Sequence, residues 1–208
     1  MITEEQLTLL RRRVEQCMSP YRWAHTLGVE EMAARLAALY CPEKSGLLRA
    51  AALLHDVTKE LRDEEQMEIF AAHGVTLRPD ELGSPQVWHG MSAALILPEQ
   101  YPELADPELI AAVRWHTTGR AGMTRTESIL YLADIIEPGR PFEDCIALRQ
   151  AFFDPEPEKM SFRQRLRHLR DILLLSYEQT LAKLQKRGIS LCLDSLAAWE
   201  DLKNKTEI

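Results

Sequence analysis

The sequence predicts an all-α fold. Three observations carry that reading. Apolar residues recur at helical spacing through most of the chain. Ser, Thr or Asp stands just before several of these segments, often with Pro next in line. No stretch alternates with the period of two and the β-branched filling that a strand needs. The elements follow in order. Thr3 and Gln6 form a capping-box pair ahead of Leu7, Leu10, Val14 and Cys17, which share one face. Ser19-Pro20 opens a second helix that runs to about Tyr40 and ends at Cys41-Pro42. Ser45 starts a third, apolar on several faces (Leu47, Leu48, Ala51, Leu54), hence buried, and ending near His55-Asp56. Asp63 caps a fourth, stopped by Gly74; Ser84-Pro85 opens a fifth, stopped by Pro98. Asp106-Pro107 opens a sixth, reaching Trp115 and His116 before Thr117-Thr118-Gly119. Thr126 opens a seventh, through Leu130 and Asp134 to Pro138. A loop around residues 154–157 precedes a long helix from about Ser161 to Arg187, ended by Gly188, and a short one from Ser195. The expected organisation is one domain over 1–208, with the helices from about 161 packed on the core.

Composition bounds the function. With 46% hydrophobic and 27% charged residues among 208, wholesale disorder is excluded. A net charge of −7 argues against a duplex nucleic-acid partner, which needs a basic face. A small phosphate ligand stays open, because one local cluster of cations overrules the global sign. No apolar run is long enough to span a bilayer, and the N-terminus lacks a signal peptide's apolar stretch, so no membrane partner is expected. Cys17, Cys41, Cys145 and Cys192 are scattered, with no CxxC, which disfavours a zinc knuckle or a disulfide framework and points to a reducing cytoplasm. Neither GxGxxG nor GxxxxGK[ST] occurs.

Three features carry chemistry. His55-Asp56 is an adjacent pair at the end of an apolar helix. Neighbours on a helix point about 100° apart, so both reach one ion only if it sits beside the helix end. His25 lies in the first turns of another helix. Asp134 stands between Ala133 and Ile135, where a carboxylate is costly to bury without a cation or hydrogen-bond partners. Each alone has an ordinary reading, as a core histidine or a capping aspartate. Together they read as a metal site, and imidazole with carboxylate suits Fe, Mn, Zn or Co rather than an all-oxygen calcium site.

The ordered set resembles the HD-domain superfamily of metal-dependent phosphohydrolases. The segments Tyr21-Arg22-Trp23-Ala24-His25-Thr26, His55-Asp56-Val57-Thr58-Lys59, Trp88-His89-Gly90, Arg114-Trp115-His116-Thr117-Thr118-Gly119 and Ala133-Asp134-Ile135-Ile136-Glu137-Pro138-Gly139-Arg140 narrow the likeness to its YqeK-type bacterial branch. That branch is associated with symmetrical bis(5′-nucleosyl)-tetraphosphatase activity. The likeness covers about residues 5–185 and leaves 188–208 outside it. It implies an HD-domain helical bundle in which His25, His55, Asp56 and Asp134 hold a first metal ion, iron foremost, with manganese or cobalt as alternatives. It further implies that His89 and His116 either bind a second ion, with Asp56 bridging, or donate hydrogen bonds to phosphate; one or two ions are thus expected.

The implied substrate is a small nucleotide, diadenosine tetraphosphate cleaved to two nucleoside diphosphates. Another HD-type nucleotide phosphohydrolase, a di-iron HD-type oxygenase and a non-catalytic metal-binding adaptor are the alternatives, and a homodimer is left open. Lys59, Arg140 and Arg22 follow or precede the ligand motifs closely enough to neutralise phosphate, Arg with bidentate geometry; a solvated lysine beside Glu60 is the plainer reading of Lys59. Thr117 and Thr118 sit in a short loop that either contacts the nucleotide or simply ends the helix. His73 suits the dipole of a helix end. His168, among Arg163, Arg165, Arg167 and Arg170, reads as part of a solvated face, with RNA contact as a lesser reading.

Overall fold

The computed structural model describes residues 2–189 and 191–208. Among them are eleven α-helices and no strand: α1 (Glu4–Glu15), α2 (Pro20–Tyr40), α3 (Ser45–Leu54), α4 (Asp63–Ala72), α5 (Pro79–Leu82), α6 (Trp88–Gln100), α7 (Pro107–Trp115), α8 (Arg125–Ile136), α9 (Glu143–Phe153), α10 (Phe162–Lys186) and α11 (Leu193–Asn204). Four short 3₁₀ turns, each opening on proline, lead into α3, α6, α7 and α10.

The caps read from sequence at Thr3, Ser19, Asp106 and Ser161 all accept backbone N–H groups. Elsewhere the boundaries move. Asp63 is the first helical residue of α4 and not its cap; Glu65 reaches back to the Arg62 N–H instead. Thr124, not Thr126, caps α8, because it is Thr124 that stands three residues before Glu127 and completes the reciprocal pair. The Thr126 hydroxyl donates to Glu108 instead. Helix α6 begins at Trp88, after a 3₁₀ turn over Pro85–Val87. It continues through Pro98 to Gln100, where a proline two residues from the end removes only one hydrogen bond of the last turn. Two helices escaped the sequence reading, α5 and α9. In α9, Cys145, Leu148 and Phe152 are buried, but the capping position is Phe142, whose side chain makes no capping bond. Helix α11 opens before Ser195, with Cys192 at its cap.

Helix α3 is the axis of the bundle. Its run from Ala50 to Leu54 is fully buried, and α1, α2, α7 and α8 pack around it. Alanines at 50, 51 and 52 leave room for neighbours on more than one face, so this helix has no solvent side for most of its length. Leu166, Leu169, Leu173 and Tyr177 of α10 and Ala198 and Leu202 of α11 belong to the same core. The arginines of α10 are not a free basic face. Arg165 donates to the Leu39 carbonyl at the end of α2 at 2.6 Å, and Arg170 donates to the Leu202 carbonyl of α11 at 2.9 Å. Arg163 and Arg167 face Glu207, and His168 bonds the Phe152 carbonyl at 2.8 Å. Arg165 and Arg170 thus serve carbonyls near helix ends, while Arg163 and Arg167 stay exposed beside Glu207.

Candidate metal centre

Four helix ends and one helix interior deliver the site. His55 is the residue after α3 and His116 the residue after α7. Both fold back in the same way. His55 Nδ1 donates to the Ala52 carbonyl at 2.6 Å and His116 Nδ1 to the Val113 carbonyl at 2.7 Å. Each ring is thereby fixed as the Nδ1–H tautomer, with the Nε2 lone pair turned toward Asp56. His25, in the second turn of α2, is held by a carboxylate: its Nδ1 lies 3.1 Å from Glu137 Oε1. The other Glu137 oxygen accepts the Gly139 N–H at 2.5 Å. Gly28 permits this arrangement, since a side chain there would collide with that same oxygen. His89 lies in the first turn of α6, and its carbonyl accepts the Thr58 hydroxyl at 2.8 Å, within a buried network that also includes Ser92 and Gln66.

Asp56 and Asp134 stand between these rings. His25 Nε2 is 3.0 Å from Asp134 Oδ1 and 3.8 Å from Asp56 Oδ2. His55 Nε2 is 3.4 Å from Asp56 Oδ2 and 3.8 Å from Asp134 Oδ1. The other Asp56 oxygen faces the second histidine pair, 3.3 Å from His89 Nε2 and 3.7 Å from His116 Nε2. Two sets of donors converge tightly enough for an ion, His25 with His55 and Asp134, and His55 with Asp56 and His116. The Nε2 atoms of His25 and His55 are buried and accept or donate no hydrogen bond, despite the nearby carboxylates. A buried polar atom left in that state costs about 1–3 kcal/mol. The donor set and these orphaned nitrogens fit a transition-metal ion.

Burial alone would raise both aspartates, yet both lie well below the usual carboxylate range. His55, His116 and His89 hold Asp56 ionised, and Arg140 with His25 and His55 does so for Asp134. Burial works against a charged His25, but Asp134 and Glu137 outweigh it and raise that imidazole to about 9. Burial pushes His89 and His116 the other way, His89 well below its ordinary value.

Cations ring the cluster. Arg22 Nη1 donates to Asp56 Oδ2 at 2.5 Å, and its buried Nε has no partner. Arg140 donates through Nε to the Asp134 carbonyl at 2.6 Å and through Nη2 to the Asp134 carboxylate. Lys59 Nζ lies 3.1 Å from His89 Nδ1, and burial pulls its pKa down. It is a half-buried group beside His89, and not the freely solvated lysine of the plainer reading. The Thr117 hydroxyl is 3.0 Å from both His89 Nε2 and His116 Nε2.

Of the candidate ligands, the cations, Glu137 and Thr117, all but His55 line one cavity of about 570 Å³. Thr118 does not join them. It is buried, its hydroxyl donates to the Gly119 carbonyl, and its own carbonyl accepts the Tyr177 hydroxyl at 3.1 Å, so it anchors the loop to α10. Sequence reasoning also missed Glu137 as the partner of His25, although it lies in the quoted Glu-Pro-Gly-Arg segment. It missed Arg149, whose guanidinium from α9 donates to the carbonyls of Ile136, Glu137 and Arg140 and clamps the turn that carries Arg140.

A helical bundle whose central helix ends in His-Asp, with a histidine from α2 and an aspartate from α8 closing on it, defines an HD-type metal centre. The HD domain model matches residues 22–139, and the chain belongs to that family. Among its relatives are proteins named symmetrical bis(5′-nucleosyl)-tetraphosphatase. That of Bacillus subtilis is 34% identical over 66% of this chain and 72% of its own length. That of Halalkalibacterium halodurans is 29% identical over 91% of this chain and 92% of its own. In structure the chain is similar to an HD superfamily hydrolase of Clostridium acetobutylicum, described as involved in NAD metabolism, with a TM-score of 0.78, 30% identity and 98% of both chains covered.

Proposed function

We propose that the protein is a metal-dependent symmetrical bis(5′-nucleosyl)-tetraphosphatase, hydrolysing diadenosine tetraphosphate to two molecules of ADP. The observation that carries this reading is the meeting, in one cavity, of a histidine–aspartate cluster with the cationic side chains of Arg22, Lys59 and Arg140. A centre for a metal alone needs no such ring of cations; a polyphosphate does. The names of the relatives support the choice of substrate.

In this reading His25, His55, Asp56 and Asp134 would hold the first ion, and His89 and His116, which face the other Asp56 oxygen, would hold a second ion or bond phosphate. A bound transition-metal ion, iron in our reading with manganese or cobalt as substitutes, supplies Lewis-acid activation of water and of a phosphoryl oxygen. Arg22 and Arg140 each spend part of a guanidinium on an aspartate and keep the remaining N–H groups for phosphate. Lys59, held beside His89, is a third cation for the phosphate chain, and its depressed pKa makes its Nζ proton easier to give up. The Thr117 hydroxyl, 3.0 Å from the Nε2 atoms of His89 and His116, orients these two rings. We assign the activity to the cytoplasm, with support from four cysteines that are all free; among the described residues no helix is long and apolar enough to cross a membrane.

Hydrolysis in ¹⁸O-labelled water tests the reading. Metal-loaded protein is expected to give ADP alone, with one label per pair of ADP molecules. AMP with ATP would overturn symmetrical cleavage, and oxygen uptake without hydrolysis would overturn the hydrolase.

A further inference from the structure

The cavity over the histidine cluster has a charged floor, but two aromatic rings stand at its rim. Eight large apolar side chains are exposed among the described residues, and the two that line this cavity are Tyr21, 74% exposed, and Phe142, 51% exposed. They occupy equivalent places. Tyr21 immediately precedes Arg22, which holds Asp56. Phe142 stands two residues after Arg140, which holds Asp134. Each arginine–aspartate pair is therefore flanked by one exposed ring, the first at the start of α2 and the second at the start of α9. An exposed ring beside a guanidinium presents a flat apolar face next to a phosphate-binding group. A purine nucleotide carries the complementary pair of surfaces, and stacking on an aromatic ring accepts any base.

Building on the reading above, we propose that Tyr21 and Phe142 each stack one base of the dinucleoside polyphosphate. The two nucleoside halves then lie on the two arginine–aspartate units, and the phosphate chain crosses the histidine cluster near its middle. Symmetrical cleavage follows from symmetrical anchoring. The substrate class is dinucleoside polyphosphates selected by the length of the phosphate chain between two fixed rings, with little preference among purines.

The test uses Tyr21→Ala, Phe142→Ala and the ring-preserving Tyr21→Phe and Phe142→Tyr in metal-loaded protein. Each alanine variant is expected to raise KM for diadenosine tetraphosphate by roughly five- to 150-fold, the range for losing one base stack, with the loss concentrated in KM rather than kcat. The ring-preserving variants are expected to stay near wild type. Calorimetric titration with ADP supplies a readout that needs no turnover: wild-type protein is expected to take up two ADP molecules, and each alanine variant to weaken one of the two sites and leave the other, while metal content holds. Wild-type affinity and KM in both alanine variants would overturn the proposal. Adenosine 5′-tetraphosphate, with a single base, is expected to respond to one substitution only; equal losses in both would mean one slot around one base and would overturn the two-half arrangement. If wild-type protein binds ADP but leaves diadenosine tetraphosphate intact, the assigned activity falls, while the affinity comparison still decides the stacking.

Discussion

The two sides of the histidine cluster are built differently. On the side of α2 and α8, His25 is oriented by the Glu137 carboxylate and faces the Asp134 carboxylate at 3.0 Å. On the side of α6 and α7, His89 and His116 lie 3.0 Å apart, Nε2 to Nε2, oriented by the Val113 carbonyl and by the Lys59 ammonium. Asp56 is the carboxylate that lies close to both rings, at 3.3 and 3.7 Å. Proton affinity reports the consequence. His25 is raised to about 9 by its carboxylates against the pull of burial, whereas burial depresses His89 and His116. A metal ion taken up at His25 must displace the proton that its carboxylates hold there, and the Lys59 cation stands against an ion beside His89. With Asp134 and Glu137 beside His25 in addition to Asp56, the first side is expected to hold an ion more tightly than the second, even with Arg22 and Arg140 bonded to its aspartates.

The largest expected effect tests what the two sides share. Asp56 faces both, so Asp56→Ala should remove metal and hydrolysis together; retained stoichiometric metal with normal turnover would break the assignment. The single-sided counterparts should separate. His25→Ala is expected to lose the tightly held ion, while His89→Ala keeps it and loses turnover. Elemental analysis after dialysis against a mild chelator reads the difference, and identical metal loss in the two variants would abolish the asymmetry. Glu137 sharpens the same contrast. Removing the carboxylate that orients a metal-ligating histidine typically costs ten- to 100-fold in metal affinity. Glu137→Ala is expected in that range, Glu137→Gln closer to wild type, since an amide oxygen still accepts from His25 Nδ1. A metal titration of the stripped protein would show it.

The cations come next. Arg140→Ala and Lys59→Ala should keep the first ion and weaken nucleotide binding, each losing a charge-assisted contact of about 1.5–3 kcal/mol, roughly ten- to 100-fold in kcat/KM. Unchanged kinetics in both would return them to a structural role, Arg140 as the brace of Asp134 and Lys59 as the brace of His89.

The asymmetry also explains what the sequence made legible. His25, His55, Asp56 and Asp134 stood out because polar groups at the ends or in the middle of apolar helices need a reason, and helix caps such as Ser19 and Asp106 stood out because their side chains make the capping bond. The resemblance named the same residues. Glu137 and Arg149 were less visible, since their work is done through a turn that only the fold closes, with Glu137 meeting a histidine 112 positions away. Arg149 sits on α9, and α9 itself was hidden by a capping position, Phe142, that offers no capping atom. Thr118 misled for the opposite reason. Its neighbour Thr117 reaches the histidines, but successive residues leave a helix end in different directions, and Thr118 turns into the core against Tyr177. Polar groups set in apolar helices were readable, and groups that act through a turn were not.

The smallest expected effect isolates the second side. Gly90, next to His89, lies where α6 crosses the end of α7. A methyl group there would meet the Arg114 carbonyl oxygen at 3.1 Å and His116 Cε1 at 3.3 Å. Both contacts are tighter than ordinary packing, and the first is to backbone, which yields little. Gly90→Ala also gains about 0.5–1 kcal/mol of helix propensity, so the net change in stability is expected to stay within about 1 kcal/mol. The strain is relieved by a small separation of α6 from α7, which moves His89 away from His116 and leaves His25, Glu137 and Asp134 untouched. The variant should therefore unfold within a few degrees of wild type, keep its tightly held ion, and lose a second equivalent of metal or turnover more readily. A fall in the affinity of the tightly held ion would instead show that the two sides act as one unit.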